Sequence, residues 1–468
     1  MGAVRPSLLA LVALLATATP AGAASLEIAL AFRGAGGGYP PDTMGAVGPA
    51  HVLEVTNAGI HVHRKSDGEY VEGGSLSEFW SDAGVATYDT FDPRAIYDPA
   101  SGRFFVVALN GRYTSNEILL AVSRSDDPTE GFDGWAFDSD STDATWADFP
   151  TIGVDGDTVT IASDMHQAGV AGGLPISVDV LVVPKADLLA VPPSIDGATL
   201  FERAALATTG FAPQPVTRLE GEGRPGWMLS TAVAFVGTVQ TTRIGGSASA
   251  PTLTAGPFLS VTPMPTPPDA LQTGAGLLDT GDGHVASPVQ IGDAIWAVHC
   301  AQGATGRAAI RWLELDAVTL AVRQEGVLES DALDYLYPSI AANAAGHVVI
   351  GFSASGPSLP PSSFAALGET HAGTTLFGEP IAVLAGTGDI QIDSVSRFGD
   401  YSATVLDPSD PTRFWSFQEI GGDGGGAAIA IAALRVVPEP SSAAAQLAAL
   451  LVLVRRRTRR QRRRSRAG

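Results

Sequence analysis

The chain has 468 residues, of which 45% are hydrophobic and 16% are charged, so it can bury one large core or two modest ones and is not disordered. Its 54 glycines and 32 prolines favour many short strands joined by tight turns over long charged helices. The single cysteine, Cys300, excludes an intramolecular disulfide. Because Cys300 follows an apolar run, we expect a buried and unreactive thiol.

Residues 1–23 have the features of a secretory signal peptide. Arg5 supplies the positive start, residues 8–16 form an apolar segment, and Ala21-Gly22-Ala23 fits a small-residue cleavage site. The apolar segment is well short of the about 20 residues that a membrane-spanning helix needs. The sequence therefore predicts an exported protein whose mature chain begins at Ala24.

Charge is divided sharply along the chain. Without Arg5 and the nine arginines between Arg455 and Arg466, residues 24–440 hold 18 basic and 49 acidic residues, a formal net charge of −31. Nucleic-acid binding depends on neutralising phosphates, so a body this acidic is not expected to bind nucleic acid.

Between residues 42 and 436 one sequence pattern recurs: a Pro or Asp begins a short β-rich run, a Gly or Asp turn follows, and a longer apolar run comes next. Successive openings are about 50 to 75 residues apart, enough for four short strands with their loops. The recurring proline is expected at the first residue of a strand, where proline is tolerated. The seven openings lie at Asp42, Asp92, Phe149, Pro213, Ser287, Tyr337 and Asp400.

Units of this size cannot bury both faces alone, so they must stack around an axis or along a solenoid. The sequence predicts an all-β protein, a β-propeller of about seven four-stranded blades over residues 24–436, with six or eight blades as alternatives. Residues 26–32 alternate in polarity and are predicted to close the ring by pairing with residues 427–437. The best helix candidate, residues 185–191, is only one or two turns long.

Three phrases of the body carry a family resemblance. Phe91-Asp92-Pro93-Arg94, residues 97–103, and Arg397-Phe398-Gly399-Asp400-Tyr401 resemble segments of the sialidase-like propeller superfamily. The resemblance implies an arginine cluster that holds a carboxylate, a tyrosine nucleophile and an aspartate acid/base. It would place Asp92, Arg94, Arg397, Asp400 and Tyr401 together at one mouth of the channel. The alternative is that these side chains form ion pairs and turn caps that close the blades.

The chain departs from that family at its Asp-box motif. The nearest segment, residues 139–146, keeps the Ser and the Thr-Trp but lacks the Asp and the Gly at their places. The same region offers closely spaced carboxylates at Asp138, Asp140 and Asp143, which suit calcium because it prefers oxygen ligands. The alternative is a solvated turn.

A second metal hypothesis rests on His61 and His63, which alternate on one predicted strand face. No third ligand is evident, so surface histidines are the alternative. The segment 351–356 misses the G-x-S-x-G nucleophile pattern by one residue and no helix follows it, so serine hydrolase chemistry is not expected.

In the C-terminal residues 437–468, the segment Val437-Pro438-Glu439-Pro440 is followed by apolar residues 443–454 and then by the arginine cluster. This order resembles the PEP-CTERM sorting signal of Gram-negative bacteria. An apolar run that enters a bilayer while arginines stay on the cytoplasmic side would stop translocation. The resemblance implies that an exosortase-type membrane enzyme recognises Pro438, Glu439 and Pro440. The apolar run of twelve residues is shorter than a comfortable span.

Together these features lead to two hypotheses of function. The first is a non-catalytic cell-surface or extracellular propeller whose loops bind a polysaccharide or a protein, and the second is a sialidase-like glycoside hydrolase or a polysaccharide lyase. No cofactor other than calcium is indicated.

Overall fold

The computed structural model describes residues 24–114, 116–170, 173–219, 226–231, 237–274 and 276–438. The predicted signal peptide and nearly all of the predicted sorting tail lie outside these ranges. The chain divides into two units, a compact body over Leu26–Val436 and the two chain ends. Only the body is described below, apart from the terminal residues of its first and last strands.

The described chain consists almost entirely of β-strands. In chain order the strands are β1 (Ala24–Arg33), β2 (Met44–Val47), β3 (His51–Thr56), β4 (Gly59–Arg64), β5 (Tyr70–Gly74), β6 (Thr90–Asp98), β7 (Arg103–Asn110), β8 (Glu117–Ser123), β9 (Phe132–Asp138), β10 (Thr145–Val154), β11 (Thr158–Gln167), β12 (Ser177–Pro184), β13 (Thr199–Ala204), β14 (Phe211–Pro215), β15 (Thr217–Arg218), β16 (Gly226–Thr231), β17 (Thr238–Ser247), β18 (Ala250–Ala255), β19 (Leu259–Ser260), β20 (Ala270–Leu271), β21 (Leu277–Leu278), β22 (Ala286–Ile291), β23 (Ala294–Gln302), β24 (Ala308–Asp316), β25 (Val322–Leu328), β26 (Asp334–Ala342), β27 (His347–Gly356), β28 (Leu359–His371), β29 (Thr374–Phe377), β30 (Ile381–Leu384), β31 (Val395–Ser396), β32 (Ala403–Leu406), β33 (Arg413–Gly421) and β34 (Ala427–Pro438). The α-helices are α1 (Leu76–Asp82), α2 (Lys185–Leu188) and α3 (Leu206–Thr209), and Pro128–Glu130 and Asp423–Gly425 are single 3₁₀ turns.

Within the described ranges these strands form eight sheets. Four sheets have four strands in the orders β2-β3-β4-β5, β6-β7-β8-β9, β10-β11-β12-β13 and β1-β34-β33-β32. Three have five strands: β14-β16-β17-β18 with β19 beside β17, β15-β22-β23-β24-β25, and β26-β27-β28-β29 with β30 beside β28. The eighth, β20-β21-β31, has three short strands.

The first long strand of each large sheet lies next to the axis. β2, β6, β10, β14, β22, β26 and β32 contact one another in this order, and β32 contacts β2. The protein is therefore an all-β propeller, as the sequence predicts. Because the small three-stranded sheet stands outside this series, the number of blades stays a prediction.

Neighbouring sheets bury their faces against each other, which is why the strands are apolar on both sides. Phe104 and Phe105 of β7 are both fully buried, Phe104 in a core shared with Leu53 of β3 and Phe105 in a core shared with Ile161 of β11. Successive strand residues point to opposite faces, so one strand supplies two cores. A sheet of this kind is stable only between two neighbours.

The predicted ring closure is confirmed. β1, which begins before the alternating residues 26–32, pairs with β34, and β34 continues the sheet of β33 and β32. The N-terminal strand is thus the outer strand of the sheet that contains the last strands of the chain. The predicted short helix near residue 185 is also present as α2.

The reason given for the recurring prolines was wrong. Pro93 lies inside β6, where the register shifts between Phe91 and Arg94. The same kind of shift occurs at Pro150, Pro213, Pro288 and Pro338. These are β-bulges, which tolerate proline because the extra residue leaves the hydrogen-bonded ladder. The residue before each proline has a positive φ of 42 to 55°, at Asp92, Phe149, Ala212, Ser287 and Tyr337.

Two buried ion pairs connect neighbouring sheets at the other end of the first strands. Lys65 Nζ lies 2.7 Å from Asp407 Oδ1, and Lys185 Nζ lies 2.5 Å from Asp98 Oδ2. Each ammonium also donates a hydrogen bond to a backbone carbonyl in the first turn of its own sheet. Lys65 donates to Gly48, and Lys185 donates to Asp155. Lys65 and Lys185 are the only lysines of the sequence, and neither is more than 8% exposed.

Candidate functional site

Polar and aromatic side chains from several sheets meet at one end of the axis. We call Asp42, Asp92, Arg94, Arg397, Asp400 and Tyr401 the mouth cluster. Asp42 and Asp92 have positive φ angles of 49 and 55°, a conformation that costs about 1 kcal/mol or more for a residue with a side chain. Such strain at a repeated position is typical of a site that needs a side chain aimed in one direction.

The structure brings together the five residues named from sequence. The Arg94 guanidinium carbon lies 3.3 Å from the centre of the Tyr401 ring. Arg397 Nη2 lies 2.5 Å from Asp400 Oδ2. Asp92 is close enough to Asp400 and Tyr401 for both to influence its carboxyl group. Their convergence fits the predicted cluster, while their catalytic roles stay predictions.

Asp42 is the member of the cluster that sequence reasoning missed. It is 1% exposed, and its Oδ1 accepts a hydrogen bond of 2.7 Å from the backbone nitrogen of Asp400. Its Oδ2 accepts a bond of 2.6 Å from the Asn57 side chain, whose Oδ1 in turn accepts from the backbone nitrogen of Asp92. Asp42 and Asn57 therefore join the first and last sheets at the site.

Aromatic rings cross the axis beside the cluster. The Phe149 ring centre lies 5.2 Å from that of Tyr401 and 4.7 Å from that of His284, and Arg94 also lies over Phe149 at 5.0 Å. We call Arg94, Phe149, His284 and Tyr401 the axial plug. Contacts of this kind between a cation and ring faces stabilise the arrangement more when water is excluded.

His284 was not found from the sequence. Its Nδ1 lies 2.7 Å from Asp282 Oδ1, and the ring is close to Asp400. Burial favours the neutral ring, but the Asp282 carboxylate outweighs it and holds the pKa of His284 above its usual value. A histidine oriented by a carboxylate can transfer protons. Its only sequence signal, Asp282-Gly283-His284 before the Ser287-Pro288 bulge, is too short to be specific.

Several carboxyl groups around the site hold protons more tightly than usual. Burial, together with the nearby Asp148 and Asp400 carboxylates, raises the pKa of Asp92 to about 7. Burial is also the main cause that raises the pKa of Asp148 to about 6 and that of Asp164 to about 7. The pKa of Asp42 is raised well above its ordinary value, first by burial and then by Asp400 and Asp92. At neutral pH the site therefore contains both acids and bases.

The geometry speaks against the predicted calcium loop of Asp138, Asp140 and Asp143. The Asp140 carboxylate accepts four hydrogen bonds from the backbone and hydroxyl groups of Thr142 and Thr145, so it caps its own turn. Within the described ranges no group of three or more His, Cys, Asp or Glu side chains is arranged to hold a metal ion.

The histidine pair also has a structural explanation. His63 is 2% exposed, and its Nε2 lies 2.8 Å from Glu54 Oε2, whose carboxylate also accepts from the backbone nitrogens of Ala35 and Gly36. His61 is half-buried beside Tyr70. His63 and Glu54 therefore connect β3 and β4 to the segment that follows β1.

The expectation for Cys300 is confirmed. The thiol is 5% exposed, and burial raises its pKa to about 12. A thiol that is protonated at neutral pH is a poor nucleophile.

The predicted sorting motif is described only at its first residue. Pro438 ends β34, and Glu439 and Pro440 lie outside the described residues, as does the tail that follows. None of the helices in the described part of the chain is long and apolar enough to cross a membrane.

Comparison with known proteins finds no family for the chain and only distant similarity to solved structures. No protein-family model matches the chain, and no curated protein matches it. Among solved structures, the chain is similar to the extracellular domains 1–2 of Drosophila Semaphorin 1a, at 10% identity over 87% of this chain and 88% of that chain, with a TM-score of 0.42. Trypanosoma rangeli sialidase in complex with 2,3-difluorosialic acid matches at 10% identity over 88% of this chain and 59% of that chain, with a TM-score of 0.39. Native Bacillus subtilis arabinanase Arb43A matches at 13% identity over 73% of this chain and 98% of that chain, with a TM-score of 0.33.

Proposed function

We propose that this chain is an exported propeller that binds a saccharide at the mouth cluster. The observation that carries the proposal is the convergence of Arg94, Arg397, Asp92 and Asp400 with the Tyr401 ring at one opening of the axis. A saccharide presents both hydroxyl donors and acceptors, so it needs carboxylates and guanidinium groups placed around a concave surface.

The rim of the cluster is accessible while its floor is fixed. The Arg397 side chain is 51% exposed and that of Asp400 is 26% exposed, whereas Asp92 and Arg94 are buried. A ligand would meet the rim pair first and would find a rigid floor below it. Fixed side chains favour binding because less conformational entropy is lost when the ligand arrives.

One observation favours a second candidate, a glycan-cleaving enzyme. Because the pKa of Asp92 is about 7, this residue can hold a proton at neutral pH, as the general acid of a glycosidase must. Tyr401 lies beside it, and His284, oriented by Asp282, offers a second group that can transfer a proton at the same opening. These groups form a candidate acid/base set, with no residue yet assigned to a step.

A glycan array probed with the purified protein tests the first candidate. We expect binding to a limited set of saccharides and a loss of affinity of at least about tenfold, or 1.4 kcal/mol, in Arg397→Gln. Arg124→Gln, which removes an exposed arginine paired with Asp133, is the matched control and should bind as the wild type does. A blank array, or equal weakening by both variants, would overturn the proposal.

Incubating the bound saccharides with the protein separates the two candidates. Release of reducing ends by the wild type, with binding but no release in Asp92→Asn, would establish the enzyme. Binding without release in the wild type would leave the protein as a lectin-like surface component.

The route to the cell surface is part of the same proposal. The signal peptide of residues 1–23 would direct export, and Pro438, Glu439 and Pro440 would be recognised by an exosortase-type enzyme. We expect the full chain to be found with the membrane or the surface and a chain ending at Val437 to be released into the medium. Equal release of both chains on cell fractionation would contradict the sorting role of the tail.

A further inference from the structure

Behind the axial plug lies a cavity that the proposed function does not use. Its volume is 480 Å³, and all seven first strands contribute to its wall. From the plug it extends along the axis past Ile96, Ile152, Val289 and Ile340 to the loops that follow the first strands, near Pro99 and Pro408. We call it the axial cavity. Its size lies within the range of small-molecule binding sites.

The walls of the axial cavity are mainly aliphatic, so its occupant must be mainly apolar. The ends of the first strands, where the loops meet the surface, contribute proline and alanine, and the one carboxylate there, Asp407, is paired with Lys65. From Arg94 to Asp98 the strand rises about 13 Å, at about 3.3 Å per residue. An extended aliphatic chain fits a cavity of this length and lining.

At the inner end of the cavity lies an arginine with unpaired hydrogen-bond donors. Arg94 lines the cavity, is 6% exposed, and has its Nε and Nη2 buried with no hydrogen-bond partner among the described residues. These two nitrogens form the edge of the guanidinium group that binds a carboxylate with two parallel hydrogen bonds. A buried donor without a partner is unfavourable, so a ligand that supplies acceptors there gains affinity.

The neighbouring carboxyl groups do not fully satisfy this cation. Burial raises the pKa of Asp92 to about 7, so this carboxyl group is partly neutral at neutral pH, and burial also raises the pKa of Asp42 well above its ordinary value. The face of the guanidinium group is covered by the Tyr401 ring, which leaves its edge for a ligand.

We infer that the axial cavity binds an amphipathic carboxylic acid, a free medium-chain fatty acid or a compound of the same shape, with its carboxylate on the Nε and Nη2 edge of Arg94. The acid enters from the end of the propeller opposite the mouth cluster, with its apolar chain between the first strands. The axial cavity lies behind the plug, away from the saccharide site, and Arg94 is the residue that the two sites share.

Isothermal titration calorimetry of the purified protein with decanoate and with decan-1-ol tests the inference. The two probes have the same chain and differ in the charged head. We expect decanoate to bind at least about tenfold more tightly than decan-1-ol in the wild type, which corresponds to about 1.4 kcal/mol. In Arg94→Met, which keeps an unbranched side chain, we expect that preference to disappear.

A variant that fills the cavity at its other end provides an independent readout. Ile291 lines the cavity and lies at the end of β22, away from Arg94. Ile291→Trp should abolish binding of both probes while Arg397→Gln, at the mouth, should leave decanoate binding unchanged. Circular dichroism and thermal unfolding confirm that each variant is folded.

Three results would overturn the inference: no decanoate binding in the wild type, equal affinities for decanoate and decan-1-ol, or unchanged decanoate affinity in a folded Ile291→Trp. If saccharide binding fails and decanoate binding holds, the proposed function is wrong and the axial site stands. The reverse outcome leaves the saccharide site and removes this one.

Discussion

The two ends of the first strands use aspartate in opposite ways. At the far end, Asp98 and Asp407 are each within ion-pair distance of a buried lysine of the next sheet. At the mouth, Asp42 and Asp92 are equally buried, yet they face other carboxylates and an arginine whose face lies on a ring. At the far end the aspartates connect sheets through ion pairs. At the mouth they have raised pKa values and a strained backbone.

Stability and proton-binding groups therefore lie at opposite ends of the first strands. An ion pair that is buried and hydrogen-bonded resists the loss of either partner, because the remaining charge would be left without compensation. A buried carboxyl group beside like charges is instead a liability for folding that a binding site can use. Substitutions at the two ends should therefore change stability in opposite directions.

The largest expected effect is at the far end. Asp407→Asn leaves the Lys65 ammonium buried without its counter-charge, and we expect the free energy of unfolding in urea to fall by about 3 to 5 kcal/mol. Asp133→Asn, which breaks the exposed pair with Arg124, should cost less than about 1 kcal/mol. Similar losses in the two variants would show that the far end does not depend on its ion pair.

A smaller effect of opposite sign is expected at the mouth. The folded-state pKa of Asp92, about 7, lies above its ordinary value of 3.8, so the folded protein holds a proton that the unfolded chain releases. The free energy of unfolding should therefore decline as pH rises from about 4 to about 7, and then level off. In Asp92→Asn this decline should be weaker, with a gain of about 1 to 3 kcal/mol over the wild type at pH 8.

The matched control for that experiment is Asp423→Asn, at an exposed carboxylate. It should follow the wild-type profile of unfolding free energy against pH. If Asp92→Asn follows it too, burial of the Asp92 carboxyl is not what opposes folding at high pH.

The smallest effect tests the strained bulges. Ala212 has a φ of 46°, where glycine is favoured, so Ala212→Gly relieves strain while losing one buried methyl group. We expect the free energy of unfolding, measured by thermal unfolding, to stay within about 0.5 kcal/mol of the wild-type value. Ala297→Gly, at a buried position in the middle of β23, has no strain to relieve and should lose about 1 to 2 kcal/mol. Equal losses would mean that the bulge backbone is not strained.

The fold was largely predictable because it repeats. Each opening from Asp42 to Asp400 lies within a first strand or just before one, and the alternating residues 26–32 do pair with β34. The bulges were not predicted because a proline near the start of a β-rich run fits a strand start as well as a shift in register. Only the partner strand distinguishes the two.

The residues of the candidate site were predictable where they belong to the repeated sequence pattern and not elsewhere. Asp92 and Arg94 belong to a repeated opening, whereas His284 precedes one in a segment without a pattern. Long-range pairs have no sequence signal at all, since Lys65 and Asp407 are 342 residues apart. The calcium loop had the right composition, but Asp140 hydrogen-bonds to its own turn, which composition does not reveal.

The two buried lysines have a consequence beyond stability. Since Lys65 and Lys185 are the only lysines, the folded body offers no exposed side-chain amine to an acylating reagent or to the aldehyde of a reducing sugar. Its accessible permanent cations are arginines, which stay charged and carry no free amine to react. A protein that works among sugars would thus be protected from slow glycation of its lysine side chains for as long as it stays folded.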